Sequence, residues 1–156
     1  MESDLRRIQS IADYQFGKGA GQVLFPKDVE IQYSNATGRI RYINLNNNRI
    51  ATLRPTDGLL SLSIDAAKIL KQHLPLSHCF ITARSDIAKF VADGGDLFAA
   101  HVVKVDKDVC PKDEVIVLDE EDQVIAVGRA FLSSSEIEAF KTGIAVKVRH
   151  GSKAEN

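Results

Sequence analysis

Apolar positions along the chain switch repeatedly between helical and strand periods, and each switch marks an element. Leu5, Ile8, Ile11 and Ala12 recur at helical spacing with Arg6, Arg7 and Gln9 off the stripe, which predicts an amphipathic helix over residues 5–15. From Glu30 to Leu62 the period shortens to two. Four strands are expected at 30–33, 39–43, 49–53 and 59–62, separated by the turn-forming clusters Ser34–Gly38, Asn44–Asn48 and Pro55–Gly58. A second helix follows over 65–74, with Ser63 as its N-cap, Ala66, Ile69, Leu70 and His73 on one face, and Pro75 as its stop. The second half is denser in strand pattern. Cys79–Ala83 reads as a strand and Ser85 as the cap of a short helix carrying Ile87, Phe90 and Val91. Asp93-Gly94-Gly95 then ends that helix, and strand formers resume at 97–100 and 102–105, with His101 as a bulge or corner between them. Strands at 114–118 and 123–131 flank an acidic tip. A capping box at Ser133 and Glu136 opens a helix through Lys141, and a last strand spans 144–149. The expected class is α+β: an N-terminal antiparallel meander with helices over 1–75, a small mixed β-barrel over 76–151 and a tail at 152–156.

Strict alternation also assigns sides. It sets Arg39 and Arg41 on the solvent face of their strand, away from Ile40, and sets Ala145, Lys147 and Arg149 opposite Ile144, Val146 and Val148. Aligned cations of this kind can track a phosphate backbone, or simply keep a sheet face soluble. The glycines at 17, 19 and 21 fit neither a P-loop nor a dinucleotide fingerprint. No Ser or Thr follows Lys18 and no apolar strand precedes the run, so a tight connection is expected, with Lys18 open to an anion at best.

Composition narrows the function classes. At 156 residues, 44% hydrophobic and 26% charged, the chain is an ordinary globular sequence with a net charge of −1. That average hides an asymmetry: residues 1–75 carry ten basic against seven acidic side chains (+3), and residues 76–156 carry ten against fourteen (−4). Much of the acidic excess lies in Asp119–Asp122, read as a solvated turn. Apolar runs are too short for a membrane span and the N-terminus lacks signal-peptide order, so a cytoplasmic protein is expected. Cys79 and Cys110 have no metal-ligand spacing and are read as buried thiols, with a disulfide left open. His73, His78, His101 and His150 show neither metal spacing nor a companion motif, and His73 is read as a packing or helix-dipole residue. No nucleophile, base and orienting group assemble, so neither a metal, a cofactor nor an enzyme is expected.

Four blocks of the second half carry a resemblance: Phe90-Val91 through Gly94-Gly95-Asp96-Leu97-Phe98-Ala99, Pro111-Lys112-Asp113-Glu114-Val115, Ala126–Ala130, and Gly143 through Gly151. Together they resemble the PUA domain, a pseudo-barrel that recognises structured RNA. The first half, through Ala12–Gly17, Gly19-Ala20-Gly21, Leu24-Phe25-Pro26, Thr37–Arg41, Ala51–Arg54 and Asp57-Gly58, is similar to the small domain preceding PUA in archaeal tRNA-guanine transglycosylase, the archaeosine-pathway enzyme. That enzyme's catalytic barrel and zinc site find no counterpart. The resemblance therefore implies an accessory module that binds tRNA near its acceptor stem, with a transglycosylase-like catalytic subunit as a possible partner. The alternative is a module that docks on such a subunit without binding RNA itself.

The resemblance lays RNA across the helix, its glycine loop and the last strand, which selects Lys89, Gly94, Gly95, Phe98, Arg129, Lys147, Arg149 and His150. Arg39, Arg41 and Arg54 of the first half are further sources of positive charge. The glycine pair is expected to offer backbone N–H groups to a phosphate or ribose. The plainer alternative makes the glycines a helix end and Phe98 a core residue, and for Phe98 that alternative is preferred. Gly95 and Ala100 stand where relatives often carry basic residues, and Asp96 adds negative charge.

Overall fold

The structure is a computed structural model and describes residues 2–75 and 77–154. Leu76, beside the expected boundary, and residues 155 and 156 of the expected tail lie outside the described residues. The chain divides into two compact units, up to Ser77 and from His78.

In the first unit, α1 (Glu2–Phe16) buries Ile8, Ala12 and Phe16 on the face that its apolar spacing predicts. Gln15 pins the helix to a strand edge: its side chain accepts from the Leu60 N–H at 2.6 Å and donates to the Leu60 carbonyl at 3.1 Å. The glycine run proves to be a helix-to-helix corner. After Gly17 and Gly19, both at positive φ, a short helix α2 (Ala20–Leu24) forms that sequence pattern alone does not predict. It lies so close to α1 that a Cβ at Gly21 would sit 2.2 Å from the Gln9 carbonyl oxygen, and the Gly21 N–H donates to Asp13 at 2.7 Å. Close approach, not phosphate binding, explains a glycine there.

Strands β1 (Glu30–Tyr33), β2 (Ile40–Leu45), β3 (Asn48–Leu53) and β4 (Leu60–Leu62) form the expected antiparallel meander in sequential order. Between β2 and β3 the loop is two residues, Asn46 and Asn47, both at positive φ, as a hairpin turn of matching twist requires. The helix α3 (Ile64–His73) begins where Ser63 accepts from the Ala66 N–H at 3.1 Å. Its buried face is Ala66, Ala67 and Leu70. His73 is exposed at the helix end, so it does not join the packed face expected of it.

The second unit is a six-stranded mixed sheet. Its strands are β5 (Phe80–Ala83), β6 (Leu97–Phe98), β7 (Val102–Val105), β8 (Glu114–Leu118), β9 (Val124–Ala130) and β10 (Ile144–Gly151), with α4 (Ser85–Ala92) and α5 (Ser134–Phe140) inserted. The order is β6-β10-β9-β8-β5-β7. Among the described strands only β5 and β8 run parallel. The two ends of that order, β6 and β7, are neighbours in sequence, joined by a 3₁₀ turn over Ala99–His101, so the sheet curls into a nearly closed barrel. The corner expected at His101 is this turn, which also takes Ala99 and Ala100 out of the first expected strand. Ile81, Val91, Leu97, Val115, Val117, Ala126 and Val146 fill the core.

Of two expected caps, one forms and one does not. Ser133 and Glu136 form the expected reciprocal box, at 3.2 and 2.9 Å. Ser85 is the first helical residue of α4 and not its cap; its N–H and hydroxyl both donate to Glu120, at 2.8 and 2.6 Å. One member of the acidic tip thus crosses from the β8–β9 turn to cap α4, and these bonds hold the Glu120 carboxyl below the usual carboxylate range. At the other end of the chain, the Ser152 and Lys153 N–H groups donate to the Ile125 and Ala92 carbonyls.

Candidate nucleic-acid interface

The helix end, the glycine corner and β10 meet through Asp96. One of its carboxylate oxygens accepts from the Val148 N–H at 2.9 Å; the other accepts from Lys147 Nζ at 3.2 Å. Asp96 is thus less a stray negative charge than the clamp between corner and strand. The glycine N–H groups are committed too. Gly94 donates to the Val91 carbonyl and Gly95 to the Phe90 carbonyl, each at 2.9 Å, so the expected backbone donors for a phosphate are not available. Gly94, at φ 110°, and Gly151, where a Cβ would lie 2.3 Å from the Ala92 carbonyl oxygen, let the helix end close on β10.

Phe90 leaves the helical face assigned to it. Its ring is 55% exposed and lies over Gly95, where a Cβ would come within 2.2 Å of it. Phe98 is not a core residue either: it is 42% exposed and tilted against His101, with ring centroids 6.2 Å apart. Alternation across a two-residue strand is too short a signal to separate Phe98 from the core.

The cations fall into three groups. Lys89 pairs with Asp93 at 2.9 Å at an exposed position, where such a contact is weak and exchangeable, whereas the exposed Lys147 pairs with the half-buried Asp96. The Asp93 carboxylate holds the Lys89 ammonium above its ordinary range. Arg149 is committed. It grips Glu114 through two parallel bonds of 2.9 and 2.5 Å, and the Glu114 side chain is wholly buried. Arg129, half-buried on β9, stands in register between Glu114 of β8 and Lys147 of β10, and its guanidinium has no ion-pair or hydrogen-bond partner among the described residues. His150 is exposed on β10 beyond a bulge.

In the first unit the alternation argument fails at one residue. Gln32 pairs with Tyr42 and Tyr33 with Ile40, so Arg41 is an extra residue in the ladder. It is half-buried with an unpartnered Nε, its guanidinium 5.5 Å from the Tyr42 ring; Arg49 stacks more closely on the same ring, at 3.5 Å. Arg39 is exposed, and Arg54 pairs with Asp57 at 3.0 Å. Cys79 is buried, which pushes its thiol up, whereas Cys110 is exposed on a turn; both are free thiols, so only one meets the expectation of burial. Among the described residues no cluster of His, Cys, Asp and Glu would hold a metal, and no helix is long and apolar enough to cross a membrane.

A second feature escaped the sequence reading. Pro111, Phe131, Leu132 and Ile144 line an open, mainly apolar groove of about 690 Å³, with Lys112 and Arg129 also in its lining. Every residue of β9 except Arg129 is buried, so no alternation marks where the barrel surface opens.

A mixed barrel closed by its last strand, with a helix and glycine corner packed on that strand, defines a PUA-domain protein, and residues 80–152 match the PUA domain family. Residues 6–76 match the patch-forming domain C2 of tRNA-guanine transglycosylase, so the chain pairs a C2 domain of that family with a PUA domain. It is 40% identical to the tRNA-guanine(15) transglycosylase of Methanobrevibacter smithii over 97% of its length, and 39% identical to that of Pyrococcus furiosus over 96%. The chain spans only about a quarter of those relatives, 23% and 25% respectively. The same fold recurs in a hypothetical protein of Pyrococcus horikoshii, with a TM-score of 0.79, 20% identity, and coverage of 99% of this chain and 93% of that one.

Proposed function

We infer that the chain binds structured RNA, with the acceptor-stem region of tRNA as its target, and serves as an accessory module in tRNA modification of the archaeosine type. The observation that carries this reading is the 40% identity, across nearly the whole chain, to a protein whose name is that of a tRNA-modifying enzyme. The module itself does no base-exchange chemistry; a transglycosylase-like subunit would supply it. Charge geometry supports the reading in part. Arg129 is uncommitted, and Lys89 holds an exchangeable surface pair, so a phosphate can displace Asp93 at small cost. Arg149 instead holds the strand together through Glu114 and contributes little net charge.

Titration of tRNA at several salt concentrations tests this. Binding should weaken with salt, and Arg129→Ala should lower the log–log slope by about one ion equivalent. Absence of binding at low salt would contradict the reading. The ion pairing of Lys89, Lys147 and Arg149 favours the second reading, docking on a catalytic subunit without RNA contact, if that result is obtained.

A further inference from the structure

The barrel sheet has an open edge at β7. This strand ends the sheet order and, among the described strands, pairs with β5 alone, with Thr82 opposite Lys104 and Ile81 opposite Val105. The Asp106 N–H donates to the Phe80 carbonyl at 3.1 Å, so alternation along the antiparallel ladder turns the N–H and carbonyl of Val105 outward, away from β5. Val103 falls at a shift of register opposite Thr82 and Ala83, and it is 52% exposed. Beyond this edge runs a cleft of about 320 Å³. Residues of β7 form one wall; Ile137, Glu138 and Lys141, on and just after α5, form the other.

We propose that this edge takes an additional strand: an extended segment of a protein partner in which apolar and acidic residues alternate, hydrogen-bonded to the outward backbone groups of β7. Charge selects the occupant. Residues 76–156 carry ten basic against fourteen acidic side chains, yet the cleft carries Lys104 and Lys141 against Glu138 alone. Neither lysine has an ion-pair partner among the described residues. An exposed lysine on an edge strand ordinarily discourages pairing, and Lys104 does so selectively. A second copy of β7 would bring Lys104 close to its own counterpart, whereas an acidic strand is attracted by it. The apolar positions of the added segment would cover Val103. An RNA strand suits the edge less well, because a strand edge presents N–H donors and carbonyl acceptors in alternation and a phosphodiester linkage offers acceptors alone.

The inference goes beyond the RNA-binding reading and does not rest on it, so its test starts without RNA. The full chain is titrated with two short labelled peptides, one alternating valine with glutamate and one alternating valine with lysine, and followed by fluorescence anisotropy and amide hydrogen exchange. The glutamate peptide should bind about tenfold more tightly than the lysine peptide, and should slow exchange at the Val105 amide. Lys104→Glu should reverse that preference; Lys104 is exposed, so the fold should tolerate the change, as a melting curve checks. Methylating alternate backbone nitrogens of the glutamate peptide should abolish binding for the set that faces β7 and spare it for the other set. No binding of either peptide at millimolar concentration, equal binding of both, or indifference to methylation would each overturn the added strand. Protection of the Val105 amide by tRNA, with none from either peptide, would overturn it too and reassign the edge to RNA.

Discussion

Two neighbouring regions of the barrel carry the same residue types and use them in opposite ways. Around the glycine corner every charge is spent: Asp96 on Val148 and Lys147, Glu114 on Arg149, Asp93 on Lys89. Around the groove the cations are unspent and an aromatic ring faces outward. Charge near a recognisable motif is therefore a poor guide to binding, because a cation that is needed to satisfy a buried carboxylate is not available to a ligand. The corner is built first to close the barrel, and whatever RNA it touches must compete with its own acids.

The sharpest way to break this contrast is to remove a spent cation. Arg149→Ala leaves the buried Glu114 carboxylate without its bidentate partner and should cost about 3 kcal/mol of stability in urea denaturation. A midpoint within error of the wild type would place Arg149 among the free cations. A smaller but still clear effect is expected from the corner's backbone. Gly151→Ala drives a Cβ into the Ala92 carbonyl and should cost about 2 kcal/mol, whereas Gly95→Ala meets only the far edge of the exposed Phe90 ring and should cost about 0.5 kcal/mol. Comparable losses at the two positions would mean that Phe90 is as rigid as the backbone.

The smallest effect is acid-dependent. Glu120, whose carboxyl is lowered by its bonds to Ser85, stabilises the start of α4 above the unfolded-state carboxylate range, and that contribution is lost as pH falls through its lowered value. The Ser85 amide resonance should therefore titrate below the ordinary carboxylate range, and Glu120→Gln should flatten it. Titration at the ordinary value would contradict the cap.

Much of this architecture is legible in residue order alone. The four-strand meander, the Ser63 cap, the Ser133–Glu136 box and the exposed pair Lys147 and Arg149 all follow from period and local chemistry. What could not be read depends on partners distant in sequence. Glu120 caps a helix that begins 35 residues earlier, Asp96 clamps a strand 52 residues later, and no local pattern announces either bond. The bulge at Arg41 and the outward turn of Phe90 and Phe98 are likewise set by pairing and closure; a one-residue slip in a ladder reverses the side on which alternation places a residue. The groove was hidden for a further reason: its walls come from three segments, at 111–112, 129–132 and 143–144, none of which stands out alone.

The central claim is that RNA affinity is set by which cations are free and not by how many are present. Salt titration of tRNA binding to Arg129→Gln and Asp96→Asn tests it most directly, because asparagine can still accept from the Val148 N–H while releasing Lys147. Arg129→Gln should weaken binding and lower the salt slope by about one, and Asp96→Asn should strengthen binding and raise the slope by about one. Changes of the same sign in both variants, or none in either, would contradict it.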